Sequence, residues 1–154
     1  MSSPVHPGRI IVGVDGSAAS KDALREGQRL AVALNAPLEA WGCWELPIGY
    51  EGYLSMGIDG FAHGAEENIK EALRDVFGPE PPKNVSTRLV QGSARATLVE
   101  GSKHASLLVV GRRGHGGFRG LLLGSVSSAV VAHSHCPVVV VHTQQVPSRN
   151  ESNP

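Results

Sequence analysis

The sequence lacks the marks of several common protein classes. It holds two cysteines, Cys43 and Cys136, far apart and in no metal or redox spacing, which leaves no thiolate framework to expect. No apolar run approaches the ~20 residues that span a bilayer. The opening Met1-Ser-Ser-Pro-Val-His-Pro-Gly8 has no basic region followed by a long apolar core, as a secretory leader would. These absences predict a reduced, cytoplasmic protein with no membrane partner. Net charge is missing too. Lys and Arg number 14, as do Asp and Glu, and a general nucleic-acid binder would need a broad basic face. One further absence is local. No acidic residue lies between Glu100 and Glu151, while Lys103, Arg112, Arg113 and Arg119 fall in that interval. In a neutral chain, such a surplus suggests an anionic ligand.

What is present reads as one domain. The 154 residues are 41% hydrophobic and 18% charged, ordinary for a globular protein able to bury ~70% of its unfolded surface. Arg9-Ile-Ile-Val-Gly-Val-Asp15 is apolar enough for a strand buried on both faces, as in parallel sheets. Ser17 is placed to cap a helix from Ala18 to Leu34, with Ala19, Ala23, Leu24, Gly27, Leu30, Ala31 and Leu34 on its apolar side. Asn35-Ala-Pro37 ends it, and a second strand covers 38–44. Residues 45–60, with four glycines and a proline, read as a loop, either a flap over a site or a plain crossover. A second helix is predicted over 61–77, with Phe61, Ala65, Ile69, Leu73, Val76 and Phe77 inward. A strand at 85–90, a helix from Gly92-Ser93 to His104, a strand at 107–110, a helix at 124–133 and a strand at 137–142 complete the alternation. That order calls for a parallel sheet with helices on both faces. Residues 1–8 and 143–154 are expected to be a flexible start and a disordered tail.

The stretch from Leu107 to Ser127 carries the chemistry. An apolar strand ends at Gly111, and six of the fourteen residues from Gly111 to Gly124 are glycine. A segment able to start a helix follows. Glycines let backbone N–H groups approach phosphate oxygens, and a helix start adds unpaired donors and partial positive charge. Two familiar fingerprints fail: no lysine precedes Ser125, as a P-loop requires, and Gly114-His-Gly116 is followed by arginine at 119 where the dinucleotide motif needs glycine. What fits is Gly111-x2-Gly114-x9-Gly124-Ser125. A glycine-rich surface loop without ligand is the plain alternative.

That spacing resembles the ATP-binding signature of the universal stress protein family. Ile11-Val-Gly-Val-Asp15-Gly-Ser17, Gly92-Ser-Ala94 and the run from Gly124-Ser-Val-Ser127 to Cys136-Pro-Val-Val-Val-Val141 are similar as well, so the likeness covers residues 9–142. It implies a Rossmann-like, adenine nucleotide alpha hydrolase-like α/β fold, a five-stranded parallel sheet in the order 3-2-1-4-5. Asp15 and Gly111 would then flank the switch point where open sheets bind ligands. By the same resemblance, Gly111, Gly114, Gly124 and Ser125 would contact phosphate, and Val126 and Ser127 would reach phosphate or ribose. Asp15 would bond ribose or adenine, and Gly13, Cys43 and Val110 would line the base pocket. Arg112 lies inside the motif and could add charge-assisted bonds. The implied ligand is ATP or another adenine nucleotide, with Mg²⁺ at Asp15 an option alongside the phosphates.

Other features have plainer explanations. His133, His135 and Cys136 look like metal ligands, but positions two apart on a helix point to different sides, and histidine at a helix end suits the dipole. Trp41 and Trp44 could stack on adenine, yet strand aromatics are usually core. His115 has no recognisable nucleophile beside it. The resulting expectation is a nucleotide-binding regulator acting in stress survival. A slow ATPase or kinase-like enzyme using Asp15 and Arg112 is one alternative, and an interaction module without ligand another. A homodimer is expected through Val138–Val141, because the implied strand order makes that bare valine run an edge.

Overall fold

A computed structural model of the protein describes residues 8–46, 57–112 and 123–143. Its elements are β1 (Ile10–Gly13), α1 (Ala18–Leu34), β2 (Leu38–Trp44), α2 (Gly57–Phe77), β3 (Val85–Gln91), α3 (Ala94–Gly101), β4 (Leu107–Gly111), α4 (Ser125–His133) and β5 (Val138–Val141). The five strands form one parallel sheet in the order β3-β2-β1-β4-β5. The fold class and strand order expected from the sequence are therefore observed.

Strand alternation builds two cores. Ile10, Val12, Leu38, Ala40 and Val109 face Ala23, Leu24 and Ala31 of α1 and Ile69, Ala72 and Leu73 of α2. Ile11, Trp41, Leu108 and Val110 face Leu98 of α3 and Val130 of α4. Period-2 side chains on β1 thus send successive residues to opposite layers, which is why that strand is apolar throughout.

Local chemistry sets most element ends. The Ser17 hydroxyl caps α1 by accepting from the Ser20 N–H at 3.2 Å. Asn35 closes the helix in the left-handed region, φ 55°, and the Ala36 N–H donates back to the Ala31 carbonyl at 2.8 Å. This C-terminal motif carries Ala36 into the core. It also overturns one reading, because Leu34 lies outward and is 61% exposed.

Other boundaries differ from those expected. α2 begins at Gly57, so the last residues of the presumed loop are helical. Glycine's low propensity is a weak prior against an element held by packing. Ala72 is fully buried and had been overlooked. α3 stops at Gly101, and a single 3-10 turn takes the chain to His104. β1 ends at Gly13, leaving Val14 and Asp15 to the turn. The expected flap falls mostly on residues 47–56, outside the described residues, as do the N-terminal and C-terminal segments 1–7 and 144–154.

Candidate nucleotide site

The carboxyl ends of β1, β2 and β4 meet at the switch point, with α1, α3 and α4 all starting there. Asp15 follows β1 in a turn that Gly16 makes possible at φ 85°. An Asp15 carboxylate oxygen accepts the Ser17 N–H at 2.9 Å, and the Asp15 N–H donates to the Ser20 hydroxyl at 3.3 Å. Ser20 thereby joins the two ends of this turn. The sequence offered no signal for it beyond its place one turn after the cap.

Glycine at 111 has a reason beyond ligand approach. A Cβ there would lie 2.7 Å from the Ala19 carbonyl oxygen, so its absence lets the first turn of α1 abut the end of β4. The two lips of the crevice are thus in backbone contact. Gly13 plays a similar part on the other face, where a Cβ would meet Leu98 at 2.9 Å. Val110 is 4% exposed and belongs to the second core.

β2 runs three residues beyond Trp41, the partner of Gly13. That extension sets Cys43 above the end of β1, within 2.8 Å of the Thr97 hydroxyl on α3. The Thr97 hydroxyl also donates to the Ser93 carbonyl at 2.9 Å, and either the thiol or the hydroxyl can donate in the Cys43 pair. Burial pushes the thiol pKa up, against the Thr97 bond, and nearby Glu45 raises it further. The Cys43 thiol is therefore held protonated and is a weak nucleophile. Thr97 was not foreseen as its partner.

The Arg112 main chain is the hub on the opposite lip. Its N–H donates to the Val141 carbonyl at 2.9 Å, and its carbonyl accepts the Gly124 N–H at 2.8 Å. The Ser127 hydroxyl donates to the same carbonyl at 2.8 Å. The Arg112 guanidinium stands 3.4 Å from Nδ1 of His142, another neighbour the sequence did not suggest. Gly114, His115, Arg113 and Arg119 lie outside the described residues.

The three helix starts differ in one respect. Ser17 caps α1 and Ser93 caps α3 with their own side chains. α4 opens at Gly124, φ −75° and ψ 176°, with no side-chain cap. Its first-turn N–H groups, on Ser125, Val126 and Ser127, have no side chain at the cap to satisfy them. Ser125 is exposed, while Val126 packs partly against the second core and offers only its backbone. Donors of this kind and the helix dipole favour an anion. Among the described residues, no group of three or more His, Cys, Asp or Glu could hold a metal ion, so His133, His135 and Cys136 do not form one.

The sequence model described as "Universal stress protein family" matches residues 7–142. The chain belongs to the universal stress protein family. Universal stress protein Rv2623 of Mycobacterium tuberculosis is 37% identical over 143 residues, a match spanning 88% of this chain and 48% of that protein. The chain spans about half the length of the relatives it matches in this way. Among solved structures, universal stress protein UspA from Lactobacillus plantarum superposes with a TM-score of 0.73 at 24% identity, covering 91% of this chain and 99% of that one. A universal stress protein in complex with cAMP superposes at 0.59 with 29% identity, covering 90% and 99%. No helix among the described residues is long and apolar enough to cross a membrane.

Proposed function

We propose that this universal stress protein domain binds an adenine nucleotide, ATP in the first instance, and acts as a nucleotide-dependent regulator in stress survival. The observation that carries the reading is the α4 start, left without a side-chain cap at the switch point of the sheet. A relative at 29% identity in complex with cAMP supports an adenine nucleotide as the occupant. In this reading the phosphates lie at Gly111, Gly114, Gly124 and Ser125 and the α4 backbone, with Arg112 adding charge. Asp15 faces the ribose, or Mg²⁺ carried in with ATP, and Gly13, Cys43 and Val110 border the base. The domain holds its ligand rather than turning it over, because phosphoryl transfer needs a positioned nucleophile and clustered cations beyond a cradle.

The test is direct. Purified protein, denatured, should release an adenine nucleotide identifiable by mass. ATP added to stripped protein should raise its melting temperature, since a ligand bound only to the native state stabilises it. No release and no shift with any adenine nucleotide would overturn the proposal. Hydrolysis with Mg²⁺ faster than about one per minute, lost in Asp15→Asn, would move the assignment to a slow enzyme.

A further inference from the structure

Ser127 sits at the third position of α4, where the signature would have its hydroxyl reach the ligand. Its surroundings say otherwise. The residue is 2% exposed, and its hydroxyl proton is committed to the Arg112 carbonyl at 2.8 Å, with the Gly124 carbonyl at 3.3 Å behind it. A nucleotide phosphate near neutral pH is chiefly an acceptor, and a hydroxyl has only one proton to give. It cannot donate to both. The Arg112 carbonyl is itself fixed on the sheet, because the same residue's N–H is tied to Val141 of β5. Gly124 N–H and Ser127 Oγ–H converge on that oxygen from the cap and third positions of α4.

The geometry points to Ser127 as a positioning residue rather than a phosphate contact. Its hydroxyl anchors the start of α4 to the end of β4, so that the uncapped N–H groups are held aimed at the anion before it arrives. This rests on the nucleotide reading for its purpose, but the anchoring can be tested without any nucleotide. Ser127→Ala leaves no orphaned group, because the Arg112 carbonyl keeps its bond from Gly124, so the variant should fold.

Amide hydrogen exchange by NMR in nucleotide-free protein should show the Gly124 N–H exchanging about fivefold faster in Ser127→Ala, in line with the loss of one neighbouring hydrogen bond. Ser127→Thr, which keeps the hydroxyl, should restore protection. In calorimetric titration, Ser127→Ala should weaken AMP, ADP and ATP by a similar factor. An unchanged Gly124 exchange rate would overturn the proposal. So would a loss confined to nucleotides carrying one particular phosphate, which would mark a direct contact. If the parent binds no adenine nucleotide, the function assigned above fails, while the exchange measurement still decides the anchoring.

Discussion

A Cβ at Gly111 would press on the Ala19 main chain at 2.7–2.8 Å, and backbone cannot step aside as a side-chain tip can. Gly111→Ala should therefore cost about 1–3 kcal/mol, the usual range for overpacking, measured as a shift of the urea midpoint. Unaltered stability would mean that the α1 start can move away. Cys43 is a second case at this scale. It stands at the carboxyl end of β2, where the proposed ligand would lie, whereas Cys136 precedes β5 at the opposite end of the sheet. ATP should slow maleimide labelling of Cys43 and leave Cys136 unaffected, and equal protection of both would argue against a base pocket at Cys43. Glu39 is a third, away from the site. Burial pushes its pKa up, but hydrogen bonds from Trp41 and Arg9, with the charges of Arg9 and Arg88, outweigh that and hold it below 4.5. A depressed carboxyl stabilises the fold above its unfolded pKa, and that contribution is lost as pH falls through the folded value. Arg9 is 6% exposed and depends on this partner. Glu39→Gln should cost about 1.5–3 kcal/mol at pH 7, the range for hydrogen bonds to a charged group, with the gap to the parent closing as pH falls through the depressed range of the folded carboxyl. A constant gap across pH, by urea titration, would remove the ion pair as the cause.

Among elements, α4 holds the most consequential difference. Its opening residue has an extended backbone, φ −75°, that any residue can adopt, so glycine there is not demanded by conformation. In the proposed function, a capping side chain would instead fill the position of the ligand. Gly124→Asp should leave stability unchanged or higher by a few tenths of a kcal/mol, as capping residues compare with glycine. Its carboxylate would oppose the phosphates, and ATP affinity should fall by at least about 100-fold, given the cost of juxtaposed like charges. Thermal denaturation paired with calorimetric titration checks both halves. ATP bound as well as by the parent would place the phosphates elsewhere. Ser17 as a cap was legible from neighbouring residues alone, since a cap is a contact across three positions. The aim of the α4 start was not, because it depends on a carbonyl fifteen positions earlier.

Over the whole molecule, the sheet has two unlike edges. β3 is mostly exposed and carries Ser86, Thr87, Arg88 and Gln91. Arg88 lies 5.3 Å from the centre of the Trp41 ring. β5 is four half-buried valines with no charge among them. The Pro137 and Val141 carbonyls accept from Leu108 and Arg112 of the β4 side, so alternation turns the main-chain groups of Val138 and Val140 to the open side. A bare apolar edge of that kind favours pairing with a second copy across a two-fold axis. The parent is expected to be a dimer at micromolar concentration by light scattering, and Val140→Lys a monomer with a cooperative melting transition. A monomeric parent would end this expectation.

Some properties of this chain follow from residues close together in sequence. Apolar runs bounded by glycine, proline and asparagine, and serines just ahead of helical patterns, act over a few positions, and the βαβ alternation is built from them. Those determined the class of fold and the layers. The glycine spacing at 111, 114 and 124 marks the carboxyl end of β4 as suited to an anion, and its likeness to a known signature implied the strand order. Contacts between distant residues were decided only by the tertiary structure. Gly111 is held to glycine by Ala19, and the Ser127 proton goes to Arg112. In each case the deciding atom belongs to an element or turn brought alongside by folding, and a hydrogen bond or steric contact acts over a few ångströms of space, whatever the separation along the chain.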